Sequence, residues 1–533
     1  MGLHLFWFRA YANIRYSEDH SILEKLQFAK HSHYDETNLC LEGTRTDLIR
    51  RIKGWCQNTG NDEKRVLLLT AVGGAGKSSI AHTVAKECMS DGSLLSSFFF
   101  KANEQSQPTH LFSGMARSLA AKSLHHRAII TSALEHDPQL ATSSFTTQFK
   151  KLVQEPLKFR RPSSGEPMIV VIDALDECDA SSLTLLAGIL RNEVPQLPSS
   201  VKFFVTSRQV DFLNRYFLSP SIQHLTLDIA DESNLRDCSA YVRSRLETLN
   251  DAHPTSTIQS KSEELVQMIV LRANGLFNWI STTFDYLEKE SVDPTLTLGK
   301  VLGMGASQKR VTPKEMMDEL YTSILERCDW EDHDFVHDLP IVLGAMMASV
   351  QPLSMTAWDS ILSPFLHSTV QSTVAGLSPL LTGIHKPHTP IRISHQLFRD
   401  FIVERAVTGR RYMVETEKAH EIMARRCFEI MDVELSNVGD LGRILSLKQK
   451  DPLPFISEGD VSEHLRYACR CAHVHASVVR APSEELEVSV RRFIDGQIVS
   501  WIELCVRMEG YISISSFPEW AKVSSAILMR RGK

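Results

Sequence analysis

The stretch VLLLTAVGGAGKSS, residues 66–79, decides the fold class of this chain. Its first part is an unbroken apolar run, the pattern of a strand that is buried on both faces of a sheet. A glycine-rich segment and a Lys-Ser pair follow, and residues 78–89 then show the pattern of a helix. A strand, a glycine-rich turn and a helix in this order predict a phosphate-binding loop.

The residue types in this segment suit phosphate binding. Three glycines let the backbone N–H groups curl around phosphate oxygens without Cβ clashes, and these are Gly73, Gly74 and Gly76. The start of the following helix adds a partial positive charge. Lys77 is placed to reach the β- and γ-phosphates and Ser78 to bind Mg²⁺. Ala71 takes the place of the usual first glycine, where the chain turns out of the strand.

A second apolar run, Met168–Ile172, ends in Asp173 about 95 residues after the loop lysine. A buried strand that ends in an acid holds Mg²⁺ in P-loop enzymes, so Asp173 is a candidate metal ligand together with Ser78. Asp176 and Glu177 come three and four residues later, where either could orient the attacking water or take its proton. The alternative for this segment is a buried strand that runs into a solvated acidic turn.

A third strand pattern, Val201–Thr206, leads into Arg208. Ligands of open α/β sheets bind at the carboxyl ends of the strands, so this arginine can face a γ-phosphate, which suits its forked donors. The alternative is a surface arginine with a solvated head group. With a further strand pattern at Ser97–Phe100, strands alternate with helices, and we predict a parallel sheet covered by helices on both faces.

The composition narrows the class of protein. The chain has 533 residues and a net charge of −6, which gives no sign of the basic surface that nucleic-acid binding favours. Ten cysteines are spread singly along the sequence, too sparsely for a disulfide framework, which indicates a reducing, cytoplasmic environment. No apolar run approaches the roughly 18 residues that a membrane-spanning helix needs. We therefore expect no stable membrane insertion.

From about residue 230 the strand patterns stop and helical patterns continue. Within residues 355–406 a short helix, a second helix, two extended pieces around a turn and a third helix follow one another, which is the order of a winged helix. The second helix, Thr369–Leu381, contains no Lys or Arg, and because phosphate contacts dominate DNA affinity we reject DNA binding. The predicted helices lie at 239–249, 262–273, 279–290, 310–326, 333–349, 355–362, 369–381 and 396–406.

Four segments resemble the NACHT family of STAND ATPases, and in particular fungal NOD-like receptors of the incompatibility and defence type. They are CLEGTR (40–45), VGGAGKSSIAHTVA (72–85), IDALDEC (172–178) and VTSR (205–208). The resemblance extends from about residue 38 to the C-terminus. In the family a glycine follows the first acid of the third segment, and here that position is Ala174, a small residue.

The resemblance implies an ATP- and ADP-binding switch with bound Mg²⁺. In such a switch a resting ADP state opens with ATP into a homo-oligomer that engages effector or sensor proteins, and hydrolysis is a slow reset. The residues that the resemblance assigns to the nucleotide are Thr44, Arg45, Gly73, Gly74, Ala75, Gly76, Lys77, Ser78 and Ser79. Two alternatives stay open: an ATPase whose turnover is itself the output, such as a remodelling machine, and a scaffold that binds nucleotide without hydrolysis. No Asn-Lys-x-Asp segment is present, so adenine is favoured over guanine.

Two looser matches concern the region after the core. Residues 273–279, ANGLFNW, resemble a short family turn that lies near the adenine, and a helix end capped at Gly275 explains them equally well. Residues 393–401, ISHQLFRDF, resemble the winged-helix segment whose histidine contacts the ADP β-phosphate, which makes His395 the sensor. A structural histidine is the alternative. Gln396 stands where an acid often follows that histidine.

The predicted architecture is an α/β P-loop core followed by a helical domain, a winged helix and a C-terminal helical domain. The predicted boundaries are 1–39 for an N-terminal segment, 40–220 for the core, 221–305, 306–410 and 411–533. One further pattern, CRCAHVH at residues 469–475, suggests metal ligands. We predict a helix there, on which side chains two residues apart point about 200° apart, so the four groups would not converge on one ion.

Overall fold

A computed structural model describes most of the chain. The described residues are 21–29, 32–60, 63–101, 108, 110–158, 166–209, 213, 217, 219–252, 262–288, 298–299, 301–302, 312–405, 412, 414–439, 441 and 454–508. They form two compact units, one within Met1–Phe284 and Asp293–Lys314 and the other within Asp285–Val292 and Glu315–Lys533. The finer division into four domains stays a prediction.

The first unit is built on a five-stranded parallel sheet, as predicted. Its order is β2-β3-β4-β1-β5, so β4 lies between the strand of the phosphate-binding loop and the strand that ends in Asp173. The strands are β1 (Val66–Ala71), β2 (Leu94–Phe99), β3 (Met168–Asp173), β4 (Val201–Arg208) and β5 (Ile222–Thr226). Strand β5 was not predicted, because it is an edge strand with exposed polar residues and carries no continuous apolar run.

Alternate residues of the sheet enter two separate cores. Val66 and Leu68 face one core, whereas Leu67 and Leu69 face the other. All four are buried, which is why residues 66–69 are all apolar instead of alternating with polar residues. Both faces of the sheet are therefore covered, and the binding edge is left to the loops at the carboxyl ends of the strands.

In the part of the chain that the structure describes, helices accompany the sheet and continue beyond it. They are α1 (Thr46–Gln57), α2 (Lys77–Ser90), α3 (Leu111–Lys122), α4 (Leu124–His136), α5 (Phe145–Gln148), α6 (Glu155–Lys158), α7 (Ala180–Gly188), α8 (Glu232–Ala252), α9 (Ser262–Ala273) and α10 (Phe277–Glu288). Arg45 has a φ of 57°, which is left-handed backbone, so α1 begins only at Thr46.

Among its described residues, the second unit is helical apart from one small antiparallel pair and the connecting turns. Its helices are α11 (Pro313–Glu326), α12 (His333–Ala348), α13 (Met355–Leu362), α14 (Val370–Val374), α15 (Gln396–Asp400), α16 (Thr416–Glu434), α17 (Glu463–Val478), α18 (Glu484–Gly496) and α19 (Ile498–Arg507). The pair consists of β6 (Leu381–Thr382) and β7 (Arg392–Ile393), which confirms the two extended pieces around a turn.

The helix predicted over residues 369–381 is too long. A capping box at Thr369 starts α14, which ends at Val374; a 3₁₀ turn, Ala375–Leu377, follows, and Leu381 already lies in β6. The helix predicted from Gln396 continues past α15 as a π-helical turn, Phe401–Arg405, and Ala406 lies outside the described residues. Among the described residues no helix is long and apolar enough to cross a membrane.

Candidate nucleotide-binding site

The glycine-rich segment links the end of β1 to the start of α2, the position that the sequence predicts. Gly74 and Gly76 have φ angles of 82° and 89°, left-handed backbone that residues with a Cβ rarely adopt. The glycines at these positions are therefore required by the loop geometry. Ala75 between them is fully buried, whereas Ser78 in the first turn of α2 is exposed at the sheet edge.

Lys77 lies over the loop. Its Nζ donates to the carbonyl oxygens of Ala71 (3.1 Å) and Val72 (3.0 Å). Burial lowers the pKa of the ammonium to about 8, and the nearby carboxylate of Asp176 opposes that shift. A cation in this position attracts an anion, whose charge would offset the cost of burying the lysine.

Asp173 ends β3 beside Ser78. Its side chain is buried, and both Ser78 and Thr206 hydrogen-bond to it. Burial raises the pKa of the Asp173 carboxyl, and the two hydroxyl contacts oppose the rise. The Thr206 hydroxyl also accepts from the N–H of Ala174 (3.0 Å), which has a left-handed φ of 54°. A hydroxyl and a carboxylate side by side are oxygen ligands of the kind that Mg²⁺ prefers.

Asp176 and Arg208 form an ion pair at the same edge. The Nε of Arg208 is 3.1 Å from one carboxylate oxygen of Asp176, and the backbone N–H of Arg208 donates to the other (2.8 Å). The hydroxyl of Ser207 donates to that second oxygen as well (3.3 Å). Asp176 therefore holds the end of β4 and orients the guanidinium. Glu177 lies beside it, half-buried, in the 3₁₀ turn Leu175–Glu177.

The segment before α1 packs against the back of the loop. The Nη2 of Arg45 donates to the carbonyl of Ala75 (2.9 Å), and its guanidinium lies 4.7 Å from the ring centroid of Phe277. The Thr44 hydroxyl donates to Leu41 O (2.6 Å), so this side chain closes a local turn. Ser79, half-buried in α2, accepts from the Thr83 hydroxyl at its carbonyl (2.7 Å).

The turn before α10 also reaches the loop. The backbone N–H of Asn278 donates to the carbonyl of Gly74 (3.0 Å). Gly275 has a φ of 80°, and a Cβ built on it would lie 2.1 Å from the carbonyl oxygen of Ile229. The side chain of Asn234 donates to Gly275 O (3.0 Å) and to Ile229 O (2.6 Å). The close approach at Gly275 thus holds this turn beside the phosphate-binding loop.

A family model described as Nephrocystin 3, N-terminal, matches residues 43–208. That range starts just before α1 and ends at Arg208, so it contains the loop, Asp173, Asp176 and the arginine. Residues 43–208 form a NACHT-like P-loop NTPase domain. Nucleotide binding is the property that this class of domain shares.

Two further comparisons add little to this assignment of the NACHT-like domain. No sequence among the curated proteins matches the chain. Among solved structures, Drosophila ORC bound to DNA is similar at 15% identity and a TM-score of 0.28, covering 69% of this chain and 97% of that one. Domain III of the Thermotoga maritima replication initiation protein DnaA is similar at 13% identity and a TM-score of 0.26, covering 53% and 94%.

A third solved structure, C. elegans PCH-2, is similar at 13% identity and a TM-score of 0.28, covering 57% of this chain and 73% of that one. Overlap at these scores carries no argument about activity. In particular, the DNA bound to the Drosophila complex says nothing of DNA binding by this chain.

Within the NACHT-like domain the structure brings together Lys77, Ser78, Asp173, Asp176 and Arg208 through the contacts described above. Two further residues that contact the site were not predicted from the sequence. Thr206 connects β3 to β4 at Asp173, the candidate metal ligand, and its place inside the VTSR segment was the available signal. Asp237 faces Arg45, and nothing in its sequence context predicted that.

His395, the predicted sensor, belongs to the second unit, where it precedes α15 in extended backbone. Burial lowers the pKa of its imidazole to about 4, and the carboxylate of Asp285 opposes the shift. The ring is therefore neutral near pH 7 and can donate one hydrogen bond and accept another. Its role as a sensor stays a prediction.

One group of possible metal ligands occurs among the described residues: His337, Asp338 and His367. The imidazole rings of His337 and His367 are stacked, with centroids 3.9 Å apart and an angle of 6° between their planes. A metal ion lies in the plane of each ring that binds it, so two parallel stacked rings cannot share one ion. Asp338 instead accepts hydrogen bonds from His337 and from the backbone N–H groups of His367 and Ser368. The CRCAHVH pattern lies on α17, as predicted.

Proposed function

We propose that this chain is an ATP- and ADP-binding signal-transduction switch that hydrolyses ATP slowly. The observation that carries the proposal is the meeting of Lys77, Asp173 and Arg208 at one edge of the sheet, after β1, β3 and β4. The loop would hold the phosphates through the backbone of Gly73, Gly74, Ala75 and Gly76. Adenine is favoured because the sequence has no Asn-Lys-x-Asp segment.

Each polar group at this edge has a role in the proposal. Ser78 and Asp173 would hold Mg²⁺, which when bound neutralises charge on the phosphate oxygens. Glu177 would orient or deprotonate the attacking water. Arg208 would face the γ-phosphate, and Asp176, which already binds two of its nitrogens, would keep it aimed there.

A switch is favoured over a turnover enzyme by what touches the loop. Two residues of α10 are connected to the outer side of the phosphate-binding loop. Asn278 donates to Gly74 directly, and Phe277 contacts Arg45, which donates to Ala75. A change in the conformation of the loop when ATP replaces ADP would therefore be transmitted to α10. In a turnover enzyme the output is the product, and such a connection is not needed.

The wider parts of the proposal rest on the resemblance to NOD-like receptors. ATP would convert the ADP form into a homo-oligomer that binds effector or sensor proteins in defence or incompatibility signalling in the cytoplasm. Residues 306–410 would act as a winged-helix lid without DNA binding, since α14 and its flanks carry no basic residue from Thr369 to Leu381. No nucleic acid and no membrane are expected among the partners.

The first experiment is the nucleotide content of protein that is purified without added nucleotide, measured by chromatography after denaturation. We expect ADP at close to one equivalent in the wild type and none in Lys77→Ala. The steady-state rate of ATP hydrolysis then distinguishes a switch from a turnover ATPase. A switch turns over far below the range of roughly 1–1000 per second that working enzymes show. Turnover within that range, without a change of oligomeric state between ADP and ATP, would contradict the switch.

A further inference from the structure

The outward-facing carbonyl groups of the phosphate-binding loop have specific donors. Gly74 O accepts from the N–H of Asn278, and Ala75 O accepts from Nη2 of Arg45. Ala75 is fully buried, and a buried carbonyl without a partner costs free energy. These two donors therefore fix the orientation of two successive peptide groups in the loop.

Fixing a carbonyl also fixes an N–H. In a trans peptide the C=O of one residue and the N–H of the next point in opposite directions, because all six atoms lie in one plane. A donor that holds Ala75 O on the outside thus aims the N–H of Gly76 to the inside, and the bond to Gly74 O does the same for the N–H of Ala75. Inward N–H groups in such a loop are the ones that bind phosphate oxygens.

Arg45 is held in turn by the helices that follow the core. Only 5% of the residue is exposed. Its backbone N–H donates to Asp237 of α8 (3.1 Å), and its Nη1 is 4.0 Å from the same carboxylate. Phe277 at the start of α10 lies under the guanidinium, and Tyr241 of α8 packs on Phe277 with ring centroids 5.6 Å apart. The position of this cation depends on both helices.

We propose that Arg45 is a positioning residue for the phosphate-binding loop, through which the docking of α8 and α10 sets the affinity for a nucleoside diphosphate. It acts on the β-phosphate through the peptide group between Ala75 and Gly76, without contacting base or ribose. This inference rests on the proposed nucleotide binding and deepens it. It gives the helices after the core a route to control nucleotide release.

The test compares ADP with AMP, which lacks the β-phosphate, by titration calorimetry on the full chain. For Arg45→Ala we expect ADP to bind about tenfold or more weakly, the size of a lost hydrogen bond from a charged donor, and AMP to change by no more than about twofold. Arg45→Lys keeps one donor and should recover part of the ADP affinity. Arg50→Ala is the matched control. Arg50 lies on α1, and its exposed side chain forms an ion pair with Asp47, which is exposed as well.

A double-mutant cycle tests the link to α10. Phe277→Leu removes the ring beneath the guanidinium and should weaken ADP binding by about threefold. In the Arg45→Ala background the same substitution should have no further effect, because its partner is gone. Melting temperatures show which variants fold, and if Arg45→Ala does not, Arg45→Lys and Phe277→Leu still decide the matter.

Two results would overturn the proposal. An equal loss of ADP and AMP affinity would mean that Arg45 contacts the base or ribose, or supports only the fold. Independent, additive effects of Arg45→Ala and Phe277→Leu would mean that α10 does not act through Arg45. Failure of the proposed function itself gives a different result, since the wild type would then bind neither nucleotide.

Discussion

Lys77 makes nucleotide binding depend on pH. Its pKa of about 8 in the free protein should rise when a phosphate lies beside it, because an opposite charge favours the ammonium. Binding above pH 8 then takes up a proton, so ADP affinity should be level near pH 7 and fall by up to about tenfold per pH unit above 8. Phosphate groups, with a pKa of roughly 6, are almost fully ionised above pH 8 and so do not cause this fall.

Calorimetry at pH 7 to 9.5, in buffers of different ionisation enthalpy, measures both the affinity and the proton uptake. Lys77→Ala should bind ADP too weakly to measure at any of these pH values. A wild-type affinity that does not change between pH 8 and 9.5 would mean that another group provides the positive charge at the β-phosphate.

Glu177 and Asp176 have different predicted roles in ATP hydrolysis. Glu177→Gln keeps the size of the side chain and removes its basicity, so single-turnover ATP hydrolysis should fall by about 10²-fold or more while ADP affinity stays unchanged. Asp176→Asn should also slow hydrolysis, because the carboxylate that orients Arg208 is lost. If Glu177→Gln hydrolyses ATP at the wild-type rate, Asp176 is left as the candidate base.

At the scale of the element, the turn between α9 and α10 depends on Gly275. A Cβ there would lie 2.1 Å from Ile229 O, and the φ of 80° is already unfavourable for any other residue. Gly275→Ala should therefore destabilise the fold by at least about 2 kcal/mol, more than backbone strain alone accounts for. It should also weaken ADP binding, since Asn278 three residues later bonds to the loop.

Gly92 provides the matched control for this substitution. It has a φ of 75°, and a Cβ built on it has nothing within 4 Å. Gly92→Ala should lower the free energy of unfolding only by the backbone strain, about 1–2 kcal/mol, and should leave the ADP affinity unchanged. Urea denaturation of both variants gives the comparison, and equal costs would show that the close approach to Ile229 is relieved by small movements.

For the whole molecule, acid should weaken both units through buried histidines. His82 of α2 accepts a hydrogen bond from the N–H of Asp35 at Nδ1, and burial lowers its pKa to about 4. In the second unit burial lowers the pKa of His475 to about 3. Below pH 6.5 these histidines take up protons in the unfolded chain but not in the folded chain. The free energy of unfolding therefore falls by about 1.4 kcal/mol per pH unit for each histidine as the pH decreases.

Urea denaturation at several pH values between 7 and 4.5 measures this slope. His82→Gln should lower the slope of stability against pH by about 1.4 kcal/mol per pH unit, which corresponds to one proton. His136→Gln, at an exposed position in α4, should leave the slope as in the wild type. An unchanged slope in His82→Gln would mean that this ring is protonated in the folded protein.

His395 provides a test of the proposed switch in the whole chain. If this histidine binds the β-phosphate of ADP, as the resemblance implies, His395→Ala should release ADP about ten- to a hundredfold faster while ATP affinity changes little. Stopped-flow release of a fluorescent ADP measures the rate. His385→Ala, at an exposed position between β6 and β7, is the control. Equal rates for His395→Ala and wild type would leave His395 a packing residue.

The sequence by itself determined the core of the NACHT-like domain. Residues 66–79 predicted a strand, loop and helix because glycines at φ above 80° and an apolar strand are local requirements that few other sequences meet. The strands that end in Asp173 and Arg208 were predicted from their apolar runs alone. The edge strand β5 was not predicted, since an edge strand needs no continuous apolar run. The start of α14 at Thr369 was predicted, but its end at Val374 was placed too late.

Only the tertiary structure decided how the side chains at the loop are used. Asp176 and Glu177 are neighbours in sequence with equal chemistry, and it is the 3.1 Å contact with Arg208 that gives Asp176 an orienting task. Arg45 faces Ala75, Asp237 and Phe277, which lie 30 to 232 residues away in the sequence. Hydrogen bonds and ring contacts between such distant residues depend on packing in three dimensions, and local sequence patterns do not contain that information.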